Sequence, residues 1–148
     1  MLMRVITTGL IVSLLSAPVF AGDLEDQIAF RKGYWQVVKH EFGDVMAAMV
    51  REKRPMDAER FAEAAARLSA LAPLAAETFP EGSISDDSRA LPKIWEDQAG
   101  FADALSTYET RVVDLKAAVD SGDQSRIGPA FKAVGGSCKN CHDNYRAD

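Results

Sequence analysis

From Leu24 onward, apolar side chains recur three, four or seven residues apart: Leu24, Ile28, Trp35, Val38, Phe42, Val45 and Met49. That spacing draws one stripe along one face of an α-helix. Asp23, Glu25 and Asp26 place acid at its positive end, and Pro55 closes the segment. A second helix is predicted from Met56 to Glu77, with Phe61, Ala65, Leu68 and Leu71 on one side. Its density of alanine lets a neighbouring helix come close. The stretch from Phe79 to Ser88, rich in Ser and Asp with Pro80 and Gly82, reads as a loop. A third stripe runs through Ile94, Phe101, Leu105, Tyr108, Val112, Leu115 and Val119, preceded by Pro92, which a first turn tolerates. Ser121-Gly122-Asp123 connects it tightly to a fourth, with Asp123 as the predicted N-cap. The fourth stripe is Ile127, Ala130 or Phe131, Val134, Cys138, Cys141 and Tyr145, and Pro129 marks either a kink or the true start of that helix. No strand-like alternation appears.

Four amphipathic helices with mostly short connections predict an all-α, antiparallel up-down-up-down four-helix bundle. In that topology the end of the fourth helix is level with the start of the first. Cys138 to Arg146 should then face Leu24 to Trp35, with the 79–92 loop close by.

The 148 residues are 47% hydrophobic and 26% charged, enough for one domain with a proper core. With 22 acids against 17 bases and a net charge of −5, a general nucleic-acid binder is excluded, because such proteins carry a basic footprint. Residues 1–21 form a unit of their own: a short n-region with Arg4, an apolar run from Val5 to Leu15, then Ser16-Ala17-Pro18-Val19-Phe20-Ala21 with small residues at −3 and −1. This is the pattern of a cleaved signal peptide, and the run is short of the roughly 20 residues of a spanning helix. Removing 1–21 from the 148 leaves a domain of 127 residues, 22–148, and takes the charge to −6, since Arg4 is the only charged residue lost. The expectation is an exported protein, with the bacterial periplasm as its compartment and no membrane span in the mature chain.

Both cysteines lie in the last eleven residues, in Cys138-Lys139-Asn140-Cys141-His142. C-x-x-C-H is the attachment signature for c-type haem. On a helix Cys138, Cys141 and His142 share a face at i, i+3 and i+4. Two thiols so spaced can add to the two vinyl groups of one porphyrin, and the adjacent imidazole of His142 reaches the iron as its axial ligand. Three plainer readings compete. An exported C-x-x-C can be a disulfide or a thiol-disulfide oxidoreductase site, although that motif normally accompanies a βαβ pattern. Cys138, Cys141, His142 and His40 can be weighed as a zinc set, but the two-histidine spacing is missing. The cysteines can also be small buried hydrophobes.

For the iron's sixth position the candidates are methionine, histidine or nothing. His40 lies about 200° around the helix from Val38 and should face solvent. Met46 is about 16 Å further along than Trp35, so Met46, Met49 and Met56 are read as core filling. Trp35, flanked by Ile28, is the residue expected over the haem. Indole is not an iron ligand, so a five-coordinate iron under a crowded apolar distal pocket is predicted. The alternative is a low-spin electron carrier with that position filled. Arg31 lies only about 40° from Trp35 and is read as a partner for a haem propionate rather than a snorkelling surface arginine.

The mature chain resembles the cytochrome c′ family, the class II c-type cytochromes, themselves familiar examples of the up-down bundle. The resemblance is carried by Val134 to Arg146, a block containing Gly135, Gly136, Cys138, Cys141, His142 and Tyr145, and by Arg31-Lys32-Gly33-Tyr34-Trp35. Phe42-Gly43, Leu68-Ser69-Ala70-Leu71 and Pro92-Lys93-Ile94-Trp95 support it. It implies one haem c bound covalently through Cys138 and Cys141, His142 as axial ligand, and Arg31 and Lys32 at haem-contact positions. Arg146 would lie near the proximal face, and Ser88 or Arg89 would supply the contact from the loop. Relatives with low-spin iron place a ligating methionine where this chain has Trp35, a departure that favours the high-spin branch and a hindered pocket. Pro129 is a second departure. The implied activity is not enzymatic: binding of NO and CO and transfer of electrons to a redox partner, in a protein that is often a homodimer through its first two helices.

Overall fold

The computed structural model describes residues 24–147, so the expected signal peptide lies outside the described residues. Four helical rods form an up-down-up-down bundle. The first rod comprises α1 (Leu24–Val38), a π-helical stretch (Lys39–Met46) and α2 (Ala47–Val50). The second is α3 (Ala58–Leu71), tightened into a 3₁₀ turn over Ala72–Thr78. A short α4 (Lys93–Glu96) leads into α5 (Gln98–Asp120), and α6 (Gln124–Tyr145) completes the bundle. Among the described residues there is no strand, only an isolated bridge between Ala90 and Arg146.

Local chemistry accounts for the ends. Asp57 caps α3 by accepting from the Arg60 N–H at 2.9 Å, so the helix starts two residues after the expected Met56. Asp123 caps α6 as expected, accepting from Ser125 N–H at 2.9 Å, and Gly122 takes the positive φ of 68° that the tight connection needs. Asp97 was not anticipated. It accepts from Gly100 N–H at 3.2 Å and splits the predicted third helix into α4 and α5. Pro129 sits inside α6, in its second turn, so the helix does not begin there. Its missing N–H releases the carbonyl of Ser125 near the frayed end, where the loss costs least.

The core is built from Val38, Val45, Met46 and Met49 of the first rod, Phe61, Ala64, Ala65 and Leu68 of α3, Phe101, Leu105, Tyr108, Val112 and Leu115 of α5, and Phe131 and Val134 of α6. Met46 and Met49 are therefore core residues, whereas Met56 is 59% exposed in the turn after the first rod and fills nothing. His40 is exposed, as its angle required, with Nδ1 3.9 Å from Asp44. Leu24 is exposed, and Tyr34 takes a buried place that the stripe assigned to Trp35, which is half-buried.

The π-helical stretch brings Glu41 into the interior. Its carboxylate meets Arg60 at 2.7 Å and Arg67 at 3.1 Å. Burial by itself would push this carboxyl up, but the two guanidinium groups, through hydrogen bonds and charge, hold it below its ordinary value.

Candidate functional site

The C-terminal end of α6 carries Cys138, Cys141 and His142 on one face. Cys138 and Cys141 are half-buried free thiols, and both belong to the packing around the core. Burial raises both above the ordinary thiol value. They also lie toward the negative end of the helix dipole, the wrong end for stabilising a thiolate. A redox C-x-x-C needs the opposite, a lowered thiol value. Neutral thiols presented together on one helical face suit addition to a porphyrin better than exchange with disulfides.

His142 is more exposed. Its Nδ1 is 3.3 Å from an Nη of Arg146, one turn later. Burial first, then the charges of Arg146 and Arg89, lower its pKa against the opposing pull of Asp143. That direction favours the neutral imidazole, the form that binds a metal. No group of three or more His, Cys, Asp and Glu placed to hold a bare metal ion occurs among the described residues, so the zinc reading has no site.

The other half of the site is organised by Arg31. Its side chain is only 4% exposed. Nε donates to the Thr78 carbonyl at 2.7 Å, one Nη donates to Ser88 Oγ at 3.0 Å, and the other donates to Ser83 Oγ. The guanidinium also lies 4.7 Å from the Phe79 ring centroid and 5.7 Å from that of Trp95. Every one of these partners is neutral. The guanidinium is therefore hydrogen-bonded at each nitrogen while its charge has no carboxylate to answer it. Arg31 and Ser88, drawn from separate regions of the sequence, are thus brought together. Lys32 is exposed beside them.

Trp35 follows one turn after Arg31. Its indole N–H donates to Thr78 Oγ1 at 3.1 Å, and its ring packs against Tyr34, Tyr108 and Phe79 at centroid distances of 4.9, 5.8 and 6.2 Å. Arg89 is engaged elsewhere: Nε and Nη donate to the Ala147 carbonyl at 3.0 and 2.7 Å. With Leu91 N–H donating to the Tyr145 carbonyl at 3.0 Å and Ala147 N–H to the Arg89 carbonyl at 2.8 Å, this ties the loop to the end of α6. The loop therefore bonds to the first rod on one side and to the end of α6 on the other; it lies close to both, as the topology predicted, and the expected approach of residues 138–146 to residues 24–35 is made through it.

Two pieces escaped the sequence reading. Tyr145 donates to Asp97 Oδ2 at 2.8 Å and packs edge-on against Phe101 at 5.1 Å, locking α6 to the start of α5. Tyr108 places a buried hydroxyl beside Trp35 with no hydrogen-bond partner among the described residues. A groove of about 460 Å³ between the 3₁₀ turn and α5, lined by Phe79, Trp95, Phe101 and Leu105 among others, touches none of Cys138, Cys141 and His142.

Comparison with known proteins bears on the same residues. The family model described as Cytochrome C' matches residues 26–146. Cytochrome c-554 of Cereibacter sphaeroides is 37% identical over 141 residues, 90% of this chain and 91% of the relative. Cytochrome c' of Alcaligenes xylosoxydans xylosoxydans is 34% identical over 122 residues, 82% and 94%. Among solved structures, cytochrome c prime from Shewanella frigidimarina superposes with a TM-score of 0.81 at 37% identity, covering 85% of this chain and 98% of that one. A nitric oxide complex of a variant of cytochrome c prime from Alcaligenes xylosoxidans gives 0.78 at 33% identity, covering 87% and 98%. The match takes in all four rods, the C-x-x-C-H face and the Arg31–Trp35 segment, and the chain belongs to the cytochrome c′ family.

Proposed function

We propose that this protein is an exported c-type haem protein that binds small neutral gases, NO and CO, at a five-coordinate iron, and passes electrons to a redox partner. The observation that carries this reading is the face of α6 on which two half-buried thiols and an imidazole stand together. Cys138 and Cys141 would hold one haem c through thioethers, His142 would bind its iron, and Arg31, with Lys32 beside it, would meet the propionates. Arg89, committed to Ala147, would act on this end of the bundle by fixing the loop. The haem supplies a site for gas binding and one-electron exchange; the chain supplies position, dryness and charge.

On the distal side Trp35 brings bulk and no iron ligand. Met46 and Met49 are in the core, and His40 faces solvent. The first rod offers a bound ligand no histidine donor, and NO and CO need none. The proposal makes the protein a gas-binding and electron-transfer haem protein and not an enzyme, working in the periplasm after loss of residues 1–21. No helix among the described residues is long and apolar enough to cross a membrane. A homodimer through the first two rods agrees with the exposed Phe30 and Val37, seven residues apart on α1.

The test is an optical spectrum of protein expressed with its leader in a host that attaches haem c. Haem retained through acid-acetone extraction, lost in the Cys138→Ser/Cys141→Ser variant, with a high-spin ferrous spectrum shifted by CO, is the expected result. A sharp low-spin spectrum indifferent to CO would make it a dedicated electron carrier. A haem-free protein with a reducible Cys138–Cys141 disulfide would replace both readings with a thiol-disulfide oxidoreductase.

A further inference from the structure

Buried hydroxyl groups are nearly always hydrogen-bonded, because leaving one unpaired forfeits the bonds it would make with water. Tyr108 is an exception. Its side chain is 4% exposed, and its Oη has no hydrogen-bond partner among the described residues. The Tyr34 hydroxyl is near enough to interact with it, but the two do not meet at a hydrogen-bonding distance and angle. The Tyr34 hydroxyl donates to the Leu71 carbonyl at 3.1 Å. The Cys138 thiol is close enough to act on Tyr108 electrostatically. Burial first, then Tyr34 and Cys138, keep the phenol protonated far into the alkaline range, so it is permanently an O–H donor. Its ring packs 5.8 Å from that of Trp35. Tyr108 thus stands between the residue expected over the haem and the cysteine expected to anchor it.

We propose that the Tyr108 hydroxyl is a hydrogen-bond donor kept for the haem site, and that it donates to the outer atom of a diatomic ligand bound at the iron. This rests on the haem reading above and deepens it. The distal pocket would then be apolar with a single donor, contributed by α5 rather than by the first rod. Trp35 cannot take this part, because its N–H is committed to Thr78 Oγ1. A ligand that draws electron density onto its outer atom is held longer by such a donor than one that does not, which makes Tyr108 a residue that sets ligand selectivity.

The test compares haem-loaded wild-type protein with Tyr108→Phe as ferrous CO adducts. The expected result is a C–O infrared stretch at lower frequency in the wild type than in the variant, shifting in D₂O only in the wild type. CO dissociation should be about 2- to 12-fold faster in Tyr108→Phe, the range for loss of one neutral hydrogen bond. Equal stretches and equal dissociation rates in protein that does carry haem overturn the proposal and leave the haem reading standing. Protein without a haem band overturns both. A second measurement needs no haem: chemical unfolding of the apoprotein should find Tyr108→Phe no less stable than wild type, since the hydroxyl it removes has no partner. A clear loss of apoprotein stability would mean that the hydroxyl is already bonded, to Tyr34, and would overturn the proposal as well.

Discussion

Replacing Trp35 with alanine separates a residue that guards the iron from one that merely fills the core. In the structure the indole is held by its hydrogen bond to Thr78 Oγ1 and by ring contacts with Tyr34, Tyr108 and Phe79. The hydrogen bond contributes about 1 kcal/mol net, and each ring contact about 0.5 to 1.5 kcal/mol. An incoming ligand that must break the hydrogen bond and two of the contacts therefore meets a barrier of about 2 to 4 kcal/mol. Removing it accelerates binding by up to roughly 30- to 900-fold. Trp35→Ala should also cost about 2 to 4 kcal/mol of stability, the lower part of the range for tryptophan truncation, because the side chain is only half-buried. Flash photolysis of the ferrous CO complex measures the rate, and urea unfolding the stability. Trp35→Phe should fall between, keeping bulk but losing the hydrogen bond. An on-rate within about twofold of wild type, together with the full loss of stability, would refute the reasoning and reduce Trp35 to a packing residue.

Glu41→Gln should lower stability by about 1 to 3 kcal/mol, because it leaves Arg60 half-buried with its charge unanswered. The Glu41 carboxyl is lowered in the fold, so its contribution is complete above the unfolded value of about 4.3 and fades as pH falls through the folded one. The gap between wild type and variant in urea melts should close in acid, and a gap independent of pH would contradict the ion-pair account. Tyr145→Phe should raise the Asp97 carboxyl toward its usual range, since the hydrogen bond from Tyr145 is the chief cause of its depression. NMR titration of Asp97 reads this directly, and wild-type protein should lose that support only as pH falls through the Asp97 value. Arg31→Met should leave the Thr78 carbonyl, Ser83 and Ser88 without their shared donor, so that limited proteolysis cuts between Phe79 and Pro92 several-fold faster. Unchanged cleavage would show that the loop is held by its bonds to the end of α6 alone.

Much of the fold is legible without coordinates because amphipathic helices write their buried face into the chain at a fixed period. Four stripes, Asp123 as a cap and Gly122 at a turn are local facts, decided within one or two helical turns. The same holds for Cys138, Cys141 and His142, whose common face follows from spacing alone. Asp97 was legible in principle too: an acid three residues before Gly100, at a step in the stripe, is an N-cap signal that the run of apolar residues on both sides obscured.

What escaped depends on pairs of residues distant in sequence. Glu41 looks like a surface acid until α3 supplies Arg60 and Arg67, themselves seven residues apart on one face and the one available hint. Tyr34 and Trp35 compete for one stripe, and only the Leu71 carbonyl and Thr78 hydroxyl decide that Tyr34 goes inside while Trp35 sits half-buried beneath the loop. The burial of Arg31 among neutral partners, and the unpaired hydroxyl of Tyr108, likewise arise from residues 40 or more positions away. The sequence alone thus determined the helices, the antiparallel bundle and the thiol–imidazole face, since periodicity and capping act through neighbours along the chain. Tertiary structure decided which polar groups are buried and which are left without partners, because desolvation is set by whatever the other rods bring near.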